Sequence, residues 1–247
     1  MKADPAAQLR LLELQELDSR ADQLRHQRAH LPELAEITSL EAKRTDVGNL
    51  VRDARIVVDD LTAEQQKVDT DVEAVKARRV RDRDRMDQGL ITNPKDLERM
   101  QHELESLERR IASLEDDELE VMERLEEAQA ELTKLEGMVA EAEEQLAALG
   151  ETRDEKVASI DEQLASVAAR RGPAVEEVPA DLLALYDRLR DQKGGVGAAE
   201  LRARQCGGCR LGLDASELTR IKGLAEDEVV RCEECQRILV RTSESGL

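Results

Sequence analysis

A seven-residue repeat of apolar side chains in the middle of the chain limits the possible folds most strongly. Sixteen positions from Leu97 to Leu149 alternate by three and four residues, and fifteen of them are apolar, with Glu118 as the exception. A repeat sustained at about 3.5 residues per turn predicts a long helix that packs in a left-handed coiled coil. After residue 150 the stripe continues through Ile160, Leu164 and Val167.

The composition supports long helices and argues against a large globular core. The 247-residue chain has no Phe, no Trp and one Tyr, whereas aromatic side chains dominate globular cores. Charged residues make up 38% of the chain, which is typical of coiled-coil helices. Hydrophobic residues, at 40%, are too frequent for a wholly disordered chain.

The stretch from Gly89 to Pro94 predicts the point at which the coiled coil turns back on itself. Gly89 suits the end of one helix, Asn93 can cap the next, and Pro94 suits its first turn. Short connections join antiparallel neighbours, so this turn favours a helical hairpin within one chain. A parallel homodimer without a hairpin is the alternative arrangement, and dimerisation of hairpins is also compatible with the pattern.

The first helix of the hairpin is predicted from about Ala6 to Gln88, with a kink or a break at Pro32. Its apolar stripe beyond Pro32 is predicted at Val47, Leu50, Ala54, Val57, Leu61, Val68 and Val75. The two helices together form a predicted hairpin domain at residues 1–171, with its tip at 89–94.

The C-terminal part of the chain predicts a linker and a small β-rich module. Gly172 and Pro173 are predicted to end the second helix, and a linker at 172–195 contains a short helix, Asp181–Arg190. The module is predicted at 196–247. Its expected strand segments are 198–204, which also fits a helical turn, the strand end 210–213, and the runs 228–231 and 237–241.

Four cysteines predict a metal site in this module. They form two pairs, with two residues inside each pair and 22 residues between the pairs: Cys206, Cys209, Cys232 and Cys235. Two such pairs supply the four thiolates of a tetrahedral Zn²⁺ site, and a module with so small a core needs the metal for folding. We therefore predict one structural zinc ion. Four thiolates leave no open position for a substrate, which argues against zinc-dependent hydrolysis.

Three other roles for the cysteines fit the sequence less well. A redox dithiol of the thioredoxin type accompanies a βαβ unit, and the sequence predicts none. Disulfides are disfavoured in the cytoplasm, where we expect the protein because the sequence lacks a hydrophobic signal region and any apolar run of 18 residues. An iron–sulfur cluster is less compatible with the spacing than zinc is.

No further motif predicts catalysis. His26 and His30 share a helix face and could bind a metal, but a solvated face is the simpler interpretation. The sequence contains neither a phosphate-binding glycine loop nor a nucleophile elbow. Tyr186 is interpreted as a packing residue of the short helix. We therefore expect the protein not to be an enzyme.

The charge distribution singles out the predicted tip. The formal net charge of −19 makes nucleic-acid binding by the whole surface unfavourable, but residues 76–102 contain eight basic and five acidic side chains. One interpretation is a solvated helix end whose alternating charges neutralise one another, and the other is a recognition surface for phosphate or an acidic partner. The candidate binding residues are Arg78, Arg79, Arg81, Arg83, Arg85, Asn93, Lys95 and Arg99.

The cysteine-containing module is less basic than a typical nucleic-acid module. From Gln192 onward the chain carries nine basic and nine acidic side chains, and four thiolates with one Zn²⁺ add a charge of about −2. Aromatic platforms for base stacking are missing. Arg202, Arg204 and Arg210 are the candidate contacts here, and a protein partner fits at least as well as nucleic acid.

Several segments resemble the bacterial family of coiled-coil proteins with a C-terminal C4-type zinc ribbon. They are Thr92–Leu104 after the turn, Leu185–Leu189 in the short helix, the Cys206–Cys209 knuckle and Arg231–Leu239. The resemblance covers nearly the whole chain and implies a long helical hairpin followed by a ribbon whose four cysteines bind zinc. The sequence departs from the family at Gln236, where a glycine often follows the last cysteine, and in lacking the usual aromatic residues.

The resemblance also implies a function. Members of the family are described as nucleic-acid-binding proteins, and some are linked to sigma-54-type transcription factors or to RNA. We expect an elongated, non-enzymatic adaptor, monomeric or homodimeric and not bound to a membrane, that contacts a protein partner in transcription or RNA-handling machinery. The alternative is direct binding of DNA or RNA through the tip and the ribbon arginines. A third class is a zinc-dependent or dithiol enzyme.

Overall fold

The computed structural model describes residues 1–247 and contains five helices and four short strands. The helices are α1 (Pro5–Ala29), α2 (Pro32–Asp87), α3 (Pro94–Glu176), α4 (Ala180–Gln192) and α5 (Ala215–Gly223). The strands are β1 (Ala198–Arg202), β2 (Gln205–Cys206), β3 (Val230–Arg231) and β4 (Ile238–Arg241). This architecture confirms the predicted fold class, a long helical hairpin followed by a small region that contains strands.

The chain divides into two compact units. The hairpin unit is Ala35–Leu149, and the head unit combines Met1–Leu34 with Gly150–Leu247. This division differs from the predicted segments, because residues 196–247 share a unit with α1, α4 and the end of α3. The N-terminus explains part of the difference, since Ala3 N donates to Asp227 O at 2.7 Å and Val229 N donates to Met1 O at 3.0 Å.

Helices α2 and α3 run antiparallel within the hairpin unit. Ion pairs join Arg44 to Glu143 at 2.8 Å, Arg55 to Glu136 at 2.6 Å and Lys76 to Glu115 at 2.8 Å. Residues later in α2 therefore pair with residues earlier in α3, as expected for an antiparallel hairpin within one chain. The turn has the predicted chemistry, because Gly89 has a φ of 68° and Asn93 Oδ1 accepts from Lys95 N at 3.0 Å.

The apolar stripe of α3 was predicted correctly, whereas that of α2 was predicted only in part. All sixteen stripe positions of α3 are buried or half-buried. In α2, Val51 is buried, but Leu50 is 52% exposed and Val57 is 49% exposed. The sequence places apolar residues side by side at 50–51 and 57–58, so local hydrophobicity cannot choose between two heptad registers. Packing against α3 selects the register that contains Val51.

Substitution of neighbouring residues tests this register. Val51→Asp is expected to destabilise the hairpin by about 3 kcal/mol, because it buries an unpaired carboxylate between the helices. Leu50→Asp places the same group in solvent and is expected to change stability by no more than about 0.5 kcal/mol. Urea unfolding followed by circular dichroism measures both values. Equal losses for the two variants would contradict the register.

Two prolines interrupt the helices differently from one another. Pro32 splits the first helix, since α1 ends at Ala29 and α2 begins at Pro32 itself, as expected for a residue that lacks an N–H. Pro173 was predicted to end α3, and this was wrong, because the helix continues to Glu176. The last turn is held by packing: Val175 is partly buried and Val178 is buried in the core of the head unit.

The core of the head unit lies between α1, α4 and the sheet. The strand order is β2-β1-β4-β3, with β1 and β4 parallel and both outer pairs antiparallel. The buried side chains of this core include Leu11, Leu14, Leu182, Tyr186, Ile238 and Val240. The cysteine-containing module is therefore supported by apolar side chains from two helices outside it.

A buried carboxylate links these helices. Asp18 on α1 is 3% exposed and accepts a hydrogen bond from the Tyr186 hydroxyl at 2.8 Å. Arg171 Nε donates to the same carboxylate at 2.7 Å, and Arg190 Nε lies 3.6 Å from it. Burial and the adjacent Asp18 carboxylate raise the pKa of Tyr186 well above its usual range, so its hydroxyl stays protonated and donates. Tyr186 is thus a packing residue, as predicted, and also a hydrogen-bond donor.

Candidate functional site

The four cysteine sulfurs lie together in the head unit. All four Sγ atoms are within 4.8 Å of one another. The Cys206 and Cys235 sulfurs are 3.8 Å apart, and those of Cys209 and Cys232 are 3.9 Å apart. Tetrahedral Zn²⁺ with Zn–S bonds of about 2.3 Å requires sulfurs about 3.8 Å apart, whereas a disulfide requires about 2.05 Å. The donor set and its spacing fit one structural zinc, and the predicted cofactor is confirmed.

The two knuckles that carry the cysteines have the same backbone hydrogen bonds. In the first, Arg210 N donates to Cys206 O at 2.7 Å and Cys206 N donates to Leu211 O at 3.0 Å. In the second, Gln236 N donates to Cys232 O at 2.9 Å and Cys232 N donates to Arg237 O at 3.0 Å. Each knuckle therefore fixes its two sulfurs in the same way, and the pair forms one four-sulfur cluster.

Both knuckles place a non-glycine residue in the left-handed region. Arg210 has a φ of 60° and Gln236 has a φ of 64°. This conformation costs about 1–2 kcal/mol for a residue with a Cβ. Gly207 and Gly208, the two residues inside the first knuckle, have no positive φ and are needed for close approach instead. An added Cβ would lie 3.1 Å from Glu200 O at Gly207 and 2.8 Å from Arg237 Cδ at Gly208.

The strain at Gln236 predicts a stabilising substitution. Gln236→Gly is expected to raise the stability of the head unit by about 1 kcal/mol relative to Gln236→Ala. The alanine variant is the matched control, because both variants lose the exposed hydrogen bond from Gln236 Nε2 to Glu233 O. Thermal unfolding of the zinc-loaded proteins measures the difference, and equal stabilities would show that the position carries no strain.

The thiols are not equivalent before a metal binds. Burial raises the pKa of Cys206 to about 12. Burial also acts on Cys235, but hydrogen bonds from the backbone and side chain of Arg237 outweigh it and lower that pKa to about 7. Zinc binding must therefore displace protons from the most buried thiols, which makes the metal affinity of the site dependent on pH.

Arg237 is a residue of the site that sequence reasoning missed. Its Nε donates to Val196 O and its second guanidinium nitrogen donates to Lys193 O, both at 2.9 Å. These bonds tie the second knuckle to the segment after α4. A charged residue beside a short strand gives no local signal for such a role.

The structure divides the predicted tip residues into paired and unpaired cations. Arg78 pairs with Glu103 at 2.6 Å, Arg99 pairs with Asp96, and Asn93 caps α3. The remaining cations have no ion-pair or hydrogen-bond partner on their side chains, and we call them the basic tip: Arg79, Arg81, Arg83, Arg85 and Lys95. All are exposed except Arg79, which is half-buried at a core position of the hairpin.

An apolar side chain lies beside the basic tip. Leu90 is 66% exposed, the largest value among the exposed large hydrophobic residues of the chain. It borders an open cleft of about 570 Å³ together with Arg78, Arg85 and Arg99. Sequence reasoning did not single out Leu90, although the apolar pair Leu90 and Ile91 in a short turn between two charged helices is a usable signal.

The ribbon arginines differ from the basic tip. Arg202 pairs with Glu244 at 2.8 Å, and Arg204 Nε donates to Gly246 O at 3.0 Å. Arg210 is exposed and belongs to the first knuckle. The ribbon therefore offers one unpaired cation of the three that the sequence suggested.

The two histidines that share a face of α1 form no metal cluster with a third ligand. His26 and His30 are exposed and stacked, with ring centroids 4.0 Å apart.

Comparison with known proteins identifies the family of the chain. The family model of the CT398-like coiled-coil hairpin domain matches residues 14–194. The chain belongs to this family. The model of the C4-type zinc ribbon domain matches residues 205–239, which contain all four cysteines. The family recognised from the sequence is thus confirmed, with a CT398-like hairpin followed by a C4-type ribbon.

Relatives of this CT398-like protein match it along almost its whole length. The uncharacterized protein Rv2229c of Mycobacterium tuberculosis is 39% identical over 241 residues, which cover 98% of each chain. A solved structure from Mycobacterium smegmatis has a TM-score of 0.85 and 36% identity, and the match covers 98% of this chain and 100% of that one. The structure of CT398 from Chlamydia trachomatis shares the fold, with a TM-score of 0.68, 20% identity and coverage of 96% and 98%.

No helix of the structure combines the length and the continuous apolar character that crossing a bilayer requires.

Proposed function

We propose that this CT398-like protein is a non-enzymatic adaptor in the cytoplasm that contacts transcription or RNA-handling machinery through the tip of its hairpin. The observation that carries the proposal is the basic tip, where five cations have no partner within a chain of net charge −19. Unpaired surface cations raise the rate and specificity of binding to an anionic partner. The family resemblance supports transcription or RNA machinery as the source of that partner.

Two features favour a protein partner over naked nucleic acid. The exposed Leu90 gives the tip an apolar centre, and an apolar anchor with a polar rim is the usual arrangement of a protein–protein contact. Nucleic-acid binding without aromatic platforms would depend on phosphate contacts alone. The four-thiolate zinc site supports a structural role for the ribbon, because it has no open position for a reacting group.

Direct binding tests the proposal. The zinc-loaded protein is titrated against purified RNA polymerase, ribosomal subunits, a single-stranded RNA and a duplex DNA, each at low and moderate salt. We expect saturable binding to one of the assemblies that persists at moderate salt, and a loss of at least tenfold in affinity for Arg81→Glu with Arg83→Glu. Arg52→Glu, an exposed change on α2 away from the tip, is the control.

The alternative functions give different results. Binding only to the naked RNA or DNA, with a steep fall in affinity as salt increases, would establish direct nucleic-acid binding instead. Turnover of a disulfide substrate that disappears in Cys206→Ser would establish a dithiol enzyme. Binding to none of the four probes, or binding that the tip variant leaves unchanged, would overturn the adaptor proposal.

A further inference from the structure

A second exposed patch in the hairpin unit complements the tip. It lies on α3 and combines acidic and apolar side chains, and we call it the acidic face: Asp116, Leu119, Met122, Glu123 and Glu126. Residues 116, 119, 123 and 126 recur at helical spacing and therefore share one side of the helix. Leu119 is 59% exposed and Met122 is 43% exposed.

The acidic face has the opposite charge to the basic tip. Residues 115–127 contain eight acidic side chains and one basic side chain, Arg124. Glu115 and Arg124 pair with α2, but Asp116, Glu123 and Glu126 make no ion pair or hydrogen bond through their side chains. One patch thus presents unpaired cations, of which Arg85 borders the same cleft as Leu90, and the other presents unpaired carboxylates on the same side of α3 as Leu119.

We propose that these two patches bind each other between two copies of the chain. The basic tip of one copy docks on the acidic face of a second copy, so that Arg81 and Arg85 face Asp116 and Glu123. Leu90 packs against Leu119 and Met122 in the same contact. Exposed ion pairs contribute little by themselves, so the three apolar side chains supply most of the affinity and the charges supply specificity and register.

The geometry of the hairpin allows the contact to form twice in one dimer. Leu119 lies 27 residues beyond Thr92, which corresponds to about 40 Å along a helix. The two patches of one copy therefore cannot meet each other. Two hairpins that run antiparallel and overlap by this length bring each tip to the other copy's acidic face. The interface is then isologous, and the assembly closes as a dimer instead of growing into a filament.

The observations favour a second copy over nucleic acid as the occupant of the tip. A nucleic acid would satisfy the cations but would leave Leu90 without an apolar partner. The acidic face satisfies both requirements of the tip with residues that the same chain provides.

A charge swap between two variants tests the dimer. Sedimentation velocity is measured on the full zinc-loaded chain as wild type, as Arg81→Glu with Arg85→Glu, and as Asp116→Arg with Glu123→Arg. We expect a wild-type dimer, and at least a tenfold weaker dimer for each variant alone. An equimolar mixture of the two variants should dimerise with an affinity within about threefold of wild type, because every contact in the mixed dimer pairs opposite charges. Arg52→Glu should behave as wild type.

Three other results would contradict the proposed dimer. A wild-type chain that stays monomeric up to about 100 µM would do so, as would a dimer that neither variant weakens or a mixture that does not recover. Retained helicity in both variants, measured by circular dichroism, excludes unfolding as the cause of a loss. If the wild type is monomeric and Arg81→Glu with Arg85→Glu instead abolishes binding of the RNA or DNA probe, nucleic acid occupies the tip.

The dimer and the adaptor function fail separately. Mixing the two variants restores the dimer but leaves the tip of the first variant acidic, so binding of an anionic partner to that tip is not restored. A partner that uses the tip would compete with the second copy. Adding this partner to the wild-type dimer should therefore replace the sedimentation boundary of the dimer by that of a complex between the partner and one copy of the chain.

Discussion

Replacing Cys206 by serine is expected to unfold the ribbon while leaving the hairpin unit folded. Cys206 is fully buried, and its sulfur lies 3.8 Å from that of Cys235 in the four-thiolate cluster. Structural zinc contributes about 10–16 kcal/mol to the folding of small zinc domains, so loss of one ligand should cost several kcal/mol. Hydrogen exchange should show lost protection in β2, β3 and α5 and retained protection in residues 35–149.

Two controls accompany this prediction. Leu211→Ser changes a half-exposed neighbour of the first knuckle and should retain one zinc per chain and full protection. Removal of the metal from the wild type with a strong chelator should reproduce the Cys206→Ser pattern. Retained protection of the ribbon in the metal-free protein would show that the apolar core of the head unit is sufficient for its folding.

Replacing Asp18 by alanine is expected to destabilise the head unit by about 3–5 kcal/mol. The change leaves Arg171 and Arg190 without their buried counter-ion and leaves the Tyr186 hydroxyl without an acceptor. Tyr186→Phe removes only the hydroxyl and should cost about 1 kcal/mol. The double variant should lose less than the sum of the two, because both changes break the same hydrogen bond.

Asp22→Ala provides the matched control for Asp18. Asp22 lies one turn further along α1 and also contacts Arg190, but its side chain is 40% exposed. Its loss should therefore cost less than about 1 kcal/mol. Chemical denaturation of the zinc-loaded chain measures all four variants, and similar losses for Asp18→Ala and Asp22→Ala would contradict the buried network.

Local chemistry explains which features the sequence could predict. The zinc site was predictable because two pairs of cysteines fix the ligands, and the knuckle backbone brings them together over a few residues. The tip was predictable from Gly89, Asn93 and Pro94, and the stripe of α3 from one uninterrupted register. In α2, by contrast, Leu50 and Val51 are both apolar, so only the partner helix determines which of them is buried.

The missed features depend on long-range packing or on weak local signals. Helix α5 was not predicted, although Asp214 caps it by accepting from Glu217 N at 2.7 Å, a capping pattern that the sequence contains. Nine residues form a marginal helix alone, and the buried Ile221 anchors this one in the ribbon core. The hydrogen bond between Ala3 and Asp227 joins residues more than 200 positions apart, and no local pattern encodes such a pairing.

The most direct test of the tip as the contact surface is photo-crosslinking from Leu90 in growing cells. A benzophenone amino acid replaces Leu90 in one strain and Ile56, which is 54% exposed on α2, in a control strain. We predict that position 90 crosslinks to a component of the transcription or RNA machinery and to residues around Leu119 of a second copy. Position 56 should yield neither adduct. Equal adduct patterns from the two positions, or none from position 90, would contradict the account.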